Sequence, residues 1–303
     1  LAPPPTLGID VGGTSVKAAL LFGLAAPRLG QSDAYAAPTF ETLRAAVAQA
    51  LAEVGGTEAA IGLRVGLCAP GVVDPATLTV TASINLPSLV GRRLTDLLPS
   101  GLAAPTVVTD AHAAAFDLWA ANPQQCAGRL LAFSLGTGVG AAVLDEGVPL
   151  RVSGASPGHL GHVDVGPIIS PGSGGSGSAP ALARDGATNT VEAFLGLPAL
   201  RAAAARTGAD VATHLSGLTI DDPAAVALTR IVRIAHAIYR PQHVALLGGV
   251  GLRLAHLGPS LYAAVAEGLT SLARPGWTLH FARHGHHAAL GAARLAAGAP
   301  AVA

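Results

Sequence analysis

Asp10 stands just ahead of a double glycine, in the run Leu7-Gly8-Ile9-Asp10-Val11-Gly12-Gly13-Thr14-Ser15-Val16-Lys17. A second glycine turn lies far along the chain, in Leu131-Ala132-Phe133-Ser134-Leu135-Gly136-Thr137-Gly138-Val139-Gly140. Glycine lets the backbone come close to a phosphate, and successive N–H groups in such a turn form an anion cradle. A carboxylate beside a cradle repels the phosphate unless a cation lies between them. Mg2+ suits that place, because it accepts one or two carboxylates, keeps waters and binds phosphate oxygens. Thr14 could donate its hydroxyl to a phosphate, and Lys17, the only lysine of the chain, lies on the run leaving the turn. A plain hairpin turn, with Asp10 satisfying local N–H groups, is the competing reading.

Other residues could complete a site. Asp110 ends an apolar run, at the carboxyl end of a strand, where open sheets place ligands. An aspartate there could accept a hydroxyl proton as that hydroxyl attacks phosphorus, or it could simply cap the next helix. Asn85, in Asn85-Leu86-Pro87, offers both a donor and an acceptor, as buried sugar hydroxyls require; a turn asparagine would look the same. Gly248-Gly249-Val250-Gly251 follows an apolar run and precedes a helical pattern, so a flat base could approach the backbone there. His159 and His162, in Gly158-His159-Leu160-Gly161-His162, have the spacing of a metal pair but lack further close ligands. His284, His286 and His287 read as a solvated turn.

These residues need elements to hold them. Each glycine turn is flanked by apolar runs on both sides, so both are strand–turn–strand units. A dinucleotide or P-loop fingerprint would open a helix instead. Thr39 to Val54 reads as a helix with Thr39 as N-cap, Ala60 to Leu67 as a buried strand, Pro105 to Asp110 as a strand and Ala111 to Ala121 as a helix. Further on, helical patterns cover Ala199–Arg206 and Pro223–Tyr239. His243–Leu247 and Trp277–Ala282 read as strands, and His287–Ala297 as a last alanine-rich helix. Gly166 to Ser178 is rich in Gly, Ser and Pro and reads as linker, lid or degenerated site. The alternation predicts an α/β architecture with helix-covered sheets. Setting Asp10 on Ser134 superposes Gly12 on Gly136 and Leu20 on Leu144, an internal echo at a domain-sized interval that suggests a duplicated lobe.

The chain has 303 residues, of which 50% are apolar, and a formal net charge of zero. That is enough for two domains, and it gives no basic face for nucleic acid. No apolar run is long enough to span a bilayer. The lead Leu1-Ala2-Pro3-Pro4-Pro5 lacks the features of a signal peptide, so a cytoplasmic protein is expected. Cys68 and Cys126 read as buried thiols.

In this order, the segments resemble those of the ROK family of sugar kinases, within the actin-like ATPase superfamily. Asp10 to Lys17 matches its first phosphate motif, and Leu135-Gly136-Thr137-Gly138-Val139-Gly140 its second. Ala69-Pro70-Gly71-Val72-Val73-Asp74 resembles its proline-glycine turn and Ser83-Ile84-Asn85-Leu86-Pro87 its sugar-contacting loop. Gly248-Gly249-Val250 falls where its adenosine motif belongs. The resemblance implies two ribonuclease-H-like lobes with an interlobe cleft, closing on ATP and a hexose. It places residues 1–113 in a small lobe, joined by the C-terminal helix at about 287–303, and residues 114–286 in a large lobe. It implies Asp110 as general base and Asp10 acting through Mg2+. Gly12, Gly13, Thr14, Lys17, Gly136, Thr137, Gly138, Gly248 and Gly249 would face the nucleotide. Asn85, Thr109, His159 and His162 would face the sugar. A homodimer is also implied.

Departures from the family pattern fall on the sugar side. Thr109-Asp110-Ala111-His112 replaces Asn-Asp-Ala-Asn. His159 stands where the family has a glutamate that accepts sugar hydrogen bonds. The zinc-binding cysteine segment becomes Pro171-Gly172-Ser173-Gly174-Gly175-Ser176-Gly177-Ser178-Ala179-Pro180. A second sugar-binding glutamate has no counterpart there, and structural zinc is not expected with His162 alone. Two functions follow: an ATP-dependent kinase acting on a hexose or related sugar, or a non-catalytic sugar or nucleotide sensor derived from one. Asp10 follows the start so closely that no preceding DNA-binding helix pair is expected.

Overall fold

The structure is a computed structural model, and it describes residues 5–152, 157–168, 180–273 and 276–298. Most of the Gly/Ser-rich stretch, residues 169–179, and the first four residues of the proline-rich lead lie outside the described residues. The chain divides into two compact units. The first takes the described residues up to Asn122 and those from His286 onward; the second is Pro123–Gly285.

Unit 1 is built on a five-stranded sheet. Its strands are β1 (Thr6–Val11), β2 (Val16–Leu21), β3 (Arg28–Gln31), β4 (Arg64–Cys68) and, after a small hairpin of β5 (Val72–Asp74) and β6 (Thr79–Ala82), β7 (Thr106–Val108). The sheet order is β3-β2-β1-β4-β7. β1 pairs antiparallel with β2 and parallel with β4, which pairs parallel with β7. Every residue of β1 is buried, as expected of a central strand covered on both faces. The β4 strand starts later than its apolar run, because Gly62, at φ 78°, turns the chain first.

Helix α1 (Phe40–Val54) covers one face, its Thr39 cap accepting the Thr42 N–H at 3.1 Å. Helix α2 (Asp110–Ala121) follows β7, and the last helix of the chain, α9 (His287–Ala296), packs on β1, β4 and α2. Small residues allow that packing. A Cβ on Gly8 would lie 1.8 Å from the Ala289 carbonyl oxygen, and one on Gly291 would lie 1.7 Å from that of Ala113. A buried charge network reinforces it. Asp117 binds His287 Nδ1 at 2.7 Å and Arg294 Nε at 2.8 Å. His287 is therefore buried between helices, in place of the solvated turn expected. The same contacts keep all of α2 with α9 inside unit 1, which runs to Asn122.

Unit 2 repeats the plan. Its strands are β8 (Arg129–Leu135), β9 (Val139–Asp145), β10 (Val148–Pro149), β11 (His243–Leu247) and β12 (Thr278–Phe281). Their order, β10-β9-β8-β11-β12, is that of unit 1 position for position. The second turn is one residue shorter: Val11 pairs with Val16, but Leu135 pairs with Val139. Beyond the turn, Leu20 therefore corresponds to Val143 rather than Leu144, since Leu7 faces Leu20 and Leu131 faces Val143. Among the described residues, its helices are α3 (Val191–Leu195), α4 (Leu197–Arg206), α5 (Val211–Ser216), α6 (Pro223–Tyr239), α7 (Gly248–Arg253) and α8 (Gly258–Glu267). The short α3 and α5 have too few residues for a periodic pattern to show. Among the described residues, no helix is long and apolar enough to cross a membrane.

Candidate active site

The parallel strands of unit 1 end together, and their ends carry the acids. Asp10 pairs across with Cys68, at the end of β4, and with Lys17 on β2. Asp110 follows the end of β7, the next strand along. Thr109 is the N-cap of α2, its hydroxyl accepting the His112 N–H at 3.3 Å. Asp110 is thus the first residue of the helix rather than its cap. The electrostatics register this proximity. Burial, opposed by Lys17 and assisted by the charge of Asp110, raises Asp10 from its ordinary 3.8 to about 6. Burial and the same two carboxylates push the Cys68 thiol well up, so Cys68 is an inert neighbour rather than a nucleophile.

The first turn is closed by Gly12 N–H donating to the Ser15 carbonyl at 3.1 Å. The N–H groups of Gly13, Thr14 and Ser15 donate to no acceptor among the described residues. Three successive open amides beside a buried carboxylate form a cradle for an anion–cation pair. The donors fit Mg2+: hard oxygens, one of them held ionised only with difficulty until a cation arrives. The sugar-contacting candidate Asn85 lies half-buried in a turn that hangs on the loop leaving β4. Ser83 Oγ donates to the Pro70 carbonyl at 2.9 Å and accepts the Leu86 N–H at 3.1 Å. Asp10, Asp110 and the Asn85 turn therefore gather at one edge of one sheet.

In unit 2 the second turn is pinned on both sides. Gly136 N–H donates to the Gly138 carbonyl at 3.0 Å, and the Gly136 carbonyl accepts the Leu197 N–H at 3.0 Å. The Thr137 and Gly138 N–H groups have no acceptor among the described residues. Val139 N–H donates to Glu192 Oε2 at 2.9 Å. Glu192 is buried and was missed from the sequence, where it is one acid in a five-residue helix. That helix packs on the turn of residues 160–162, which also packs on β9. Gly248 takes φ 81° directly after β11, with its Cα against the Leu135 backbone, so β11 and the second turn meet there. Gly249 is exposed.

His159 and His162 are both exposed, their ring centres 5.7 Å apart. His162 Nδ1 lies 3.6 Å from the Asp185 carboxylate. Among the described residues, the three-donor group of metal-ligating side chains is Asp117, His284 and His287, and His162 is not part of it.

The ROK family model matches residues 6–299. The chain belongs to the ROK family. It is 31% identical over 265 residues to an N-acetylmannosamine kinase of Salmonella typhi, covering 83% of this chain and 85% of the relative. Its fold matches a ROK family glucokinase from Streptomyces griseus, solved with glucose and AMPPNP, at TM-score 0.69 and 22% identity over 96% of this chain and 98% of that one. It also matches a ROK family transcriptional regulator, a homolog of the E. coli Mlc protein, at TM-score 0.66 and 19% identity, over 97% of this chain and 77% of that one. Its fold is thus that of solved ROK proteins, a glucokinase and a transcriptional regulator among them. Family membership rests on the matched length, and the fold is shared by kinases and regulators alike.

Proposed function

We propose that this ROK protein is an ATP-dependent kinase that phosphorylates a hydroxyl of a hexose or related sugar. The carrying observation is the common strand edge in unit 1. It sets two carboxylates, one with its acidity suppressed by burial, beside three open amides. In this reading the Asp110 carboxylate accepts the sugar hydroxyl proton as the oxygen attacks the γ-phosphorus and the bond to the β-phosphate oxygen breaks, releasing ADP. Asp10 would hold Mg2+, which shields phosphate charge when bound. The Gly13, Thr14 and Ser15 amides receive phosphate oxygens, and Lys17 adds positive charge at the same edge. In unit 2, Thr137 and Gly138 offer amides, and Gly248 and Gly249 offer bare backbone to the nucleoside. Asn85 orients sugar hydroxyls, with His159 and His162 as candidate contacts.

Glu192 amends the view of a depleted sugar side. It restores a buried carboxylate to the neighbourhood of the His159–His162 turn, so unit 2 keeps an acceptor there. One observation favours a second reading, a sugar or nucleotide sensor: an exposed histidine occupies position 159, where the family pattern has an acid. The reading includes a cytoplasmic setting, a homodimer and no nucleic-acid partner; light scattering tests the dimer.

The deciding experiment is an ADP-release assay over a panel that includes glucose and N-acetylmannosamine, with Mg-ATP or polyphosphate as donor, beside Asp110→Asn. Sugar-dependent turnover that this change abolishes supports the kinase. Binding of sugar or nucleotide without turnover on any sugar favours the sensor.

A further inference from the structure

The segment after β3 does more than end a strand. Residues 32–35 fold back along the first glycine turn. Ser32 N–H donates to the Val16 carbonyl at 2.9 Å, and Ser32 Oγ accepts the Val16 N–H at 2.9 Å. Tyr35 N–H donates to the Thr14 carbonyl at 2.9 Å, and the Tyr35 hydroxyl donates to the Gly12 carbonyl at 2.5 Å. The segment is itself tied to α1. Gln49 Oε1 accepts the Asp33 N–H at 3.0 Å, and Gln49 Nε2 donates to Asp33 Oδ2 at 2.8 Å.

One of these bonds fixes more than position. A peptide unit is planar and trans, so the Gly12 carbonyl and the Gly13 N–H point in opposite directions. Glycine on both sides leaves this unit free to rotate unless something holds it. Holding the carbonyl on the Tyr35 hydroxyl turns the Gly13 N–H away from the segment. That amide is the first of the three open ones.

We propose that Tyr35 is a positioning residue of the phosphate cradle, its hydroxyl setting the Gly12–Gly13 peptide so that the Gly13 N–H is presented to a nucleotide phosphate. The assignment rests on the first turn binding phosphate, as in the function proposed above, but not on the identity of the sugar. The tyrosine touches no reacting atom; it acts through the peptide it orients. Its hydroxyl lowers the cost of ordering that peptide when the nucleotide arrives.

The test compares Tyr35→Phe with Ser32→Ala. Phenylalanine keeps the ring and removes only the hydroxyl bond. The Ser32 change removes two neighbouring bonds of the same segment, from the Val16 N–H and to the Asp33 carbonyl, neither of them made to the cradle. Calorimetric affinity for Mg-AMPPNP, KM for ATP, KM for sugar, kcat and Tm are measured on the full chain. Tyr35→Phe is expected to weaken nucleotide affinity and raise KM for ATP by roughly three- to tenfold, the worth of one net hydrogen bond. Its kcat should stay within about twofold with sugar KM unchanged, and its Tm should fall no further than that of Ser32→Ala. Ser32→Ala should lower Tm and leave nucleotide affinity alone. Wild-type nucleotide affinity in Tyr35→Phe overturns the assignment. So does a loss that Ser32→Ala matches, since that is general loosening. If Mg-AMPPNP binds and Tyr35→Phe weakens it while no sugar is phosphorylated, the kinase reading falls and the role of Tyr35 stands. A wild-type chain that does not bind Mg-AMPPNP ends both.

Discussion

The two glycine turns sit at the same place in sheets of the same strand order, yet each is held and charged differently. The first, residues 12–15, is braced by the segment ending in Tyr35 and has Asp10 at the end of its leading strand. The second, residues 136–138, is braced by Glu192 and by the Leu197 N–H, and Ser134 stands where the first has Asp10. A turn with open amides attracts an anion by itself. Adding a buried carboxylate beside it changes the ligand it suits, from a bare phosphate to a phosphate with a cation. In the function proposed above, one strand–turn–strand frame would yield a metal-dependent and a metal-independent cradle, and a single side chain on the strand would decide which.

The comparison can be broken most severely at Asp110, which has no acidic counterpart in unit 2. Asp110→Asn should lower kcat by about 10²–10⁴-fold, the usual worth of a positioned base, with Tm retained. A loss of less than about tenfold would remove Asp110 from the chemistry.

Asp10→Asn should abolish Mg2+-dependent nucleotide binding and, at pH 7, raise the stability of the ligand-free protein by up to about 3 kcal/mol. The sign follows from the raised pKa. A carboxyl held at about 6 contributes stability that is complete below its ordinary 3.8 and lost as pH rises through about 6. At pH 7 its burial as a charge is a net cost, which asparagine removes. Ser134→Asn, the matching change at the second turn, should do neither. The same comparison extends to pH. His236 in unit 2 is held neutral by burial, lowered from 6.5 to about 4, so its contribution is present above 6.5 and lost as pH falls toward 4. Acidifying the ligand-free protein from pH 7 to 5 should then slow intrinsic-rate-corrected hydrogen exchange in β1 and speed it in α6. Shifts of the same sign in both would refute the assignment of these two groups.

Smaller effects sharpen the contrast in how the turns are braced. Glu192→Ala strands the buried Val139 N–H and should cost about 1–3 kcal/mol, whereas Glu192→Gln, which keeps an acceptor, should recover most of it. Urea melts of both variants check this. Thr109→Ala removes the cap that begins α2 and should cost about 1 kcal/mol, seen as a small drop in Tm.

Much of the fold was legible because its signals are local. The hairpins around both glycine turns, the Thr39 cap of α1 and the strand His243–Leu247 each announce themselves within a few residues. The acids at the strand ends were legible for the same reason: Asp10 precedes a glycine turn, and Asp110 separates an apolar run from a helix. What escaped depends on partners distant in sequence. His287 looked like one of several exposed histidines until Asp117, 170 residues earlier, was seen to bind it. Glu192 gains meaning only through the Val139 amide, 53 residues before it. Tyr35 carried no signal at all, since nothing near it in sequence shows that its hydroxyl meets Gly12.

Sequence alone determined the chemistry available: which backbone positions can approach a phosphate, which carboxylates stand at strand ends, and that the first half of the chain echoes the second. Tertiary structure alone decided how that chemistry is tuned. It buried Asp10 beside Asp110 and so raised its pKa, it fastened α2 to α9 through Asp117, and it aimed the Gly12 carbonyl at Tyr35. Charge burial and peptide orientation depend on what surrounds a group in space, and no local pattern of residue types encodes those surroundings.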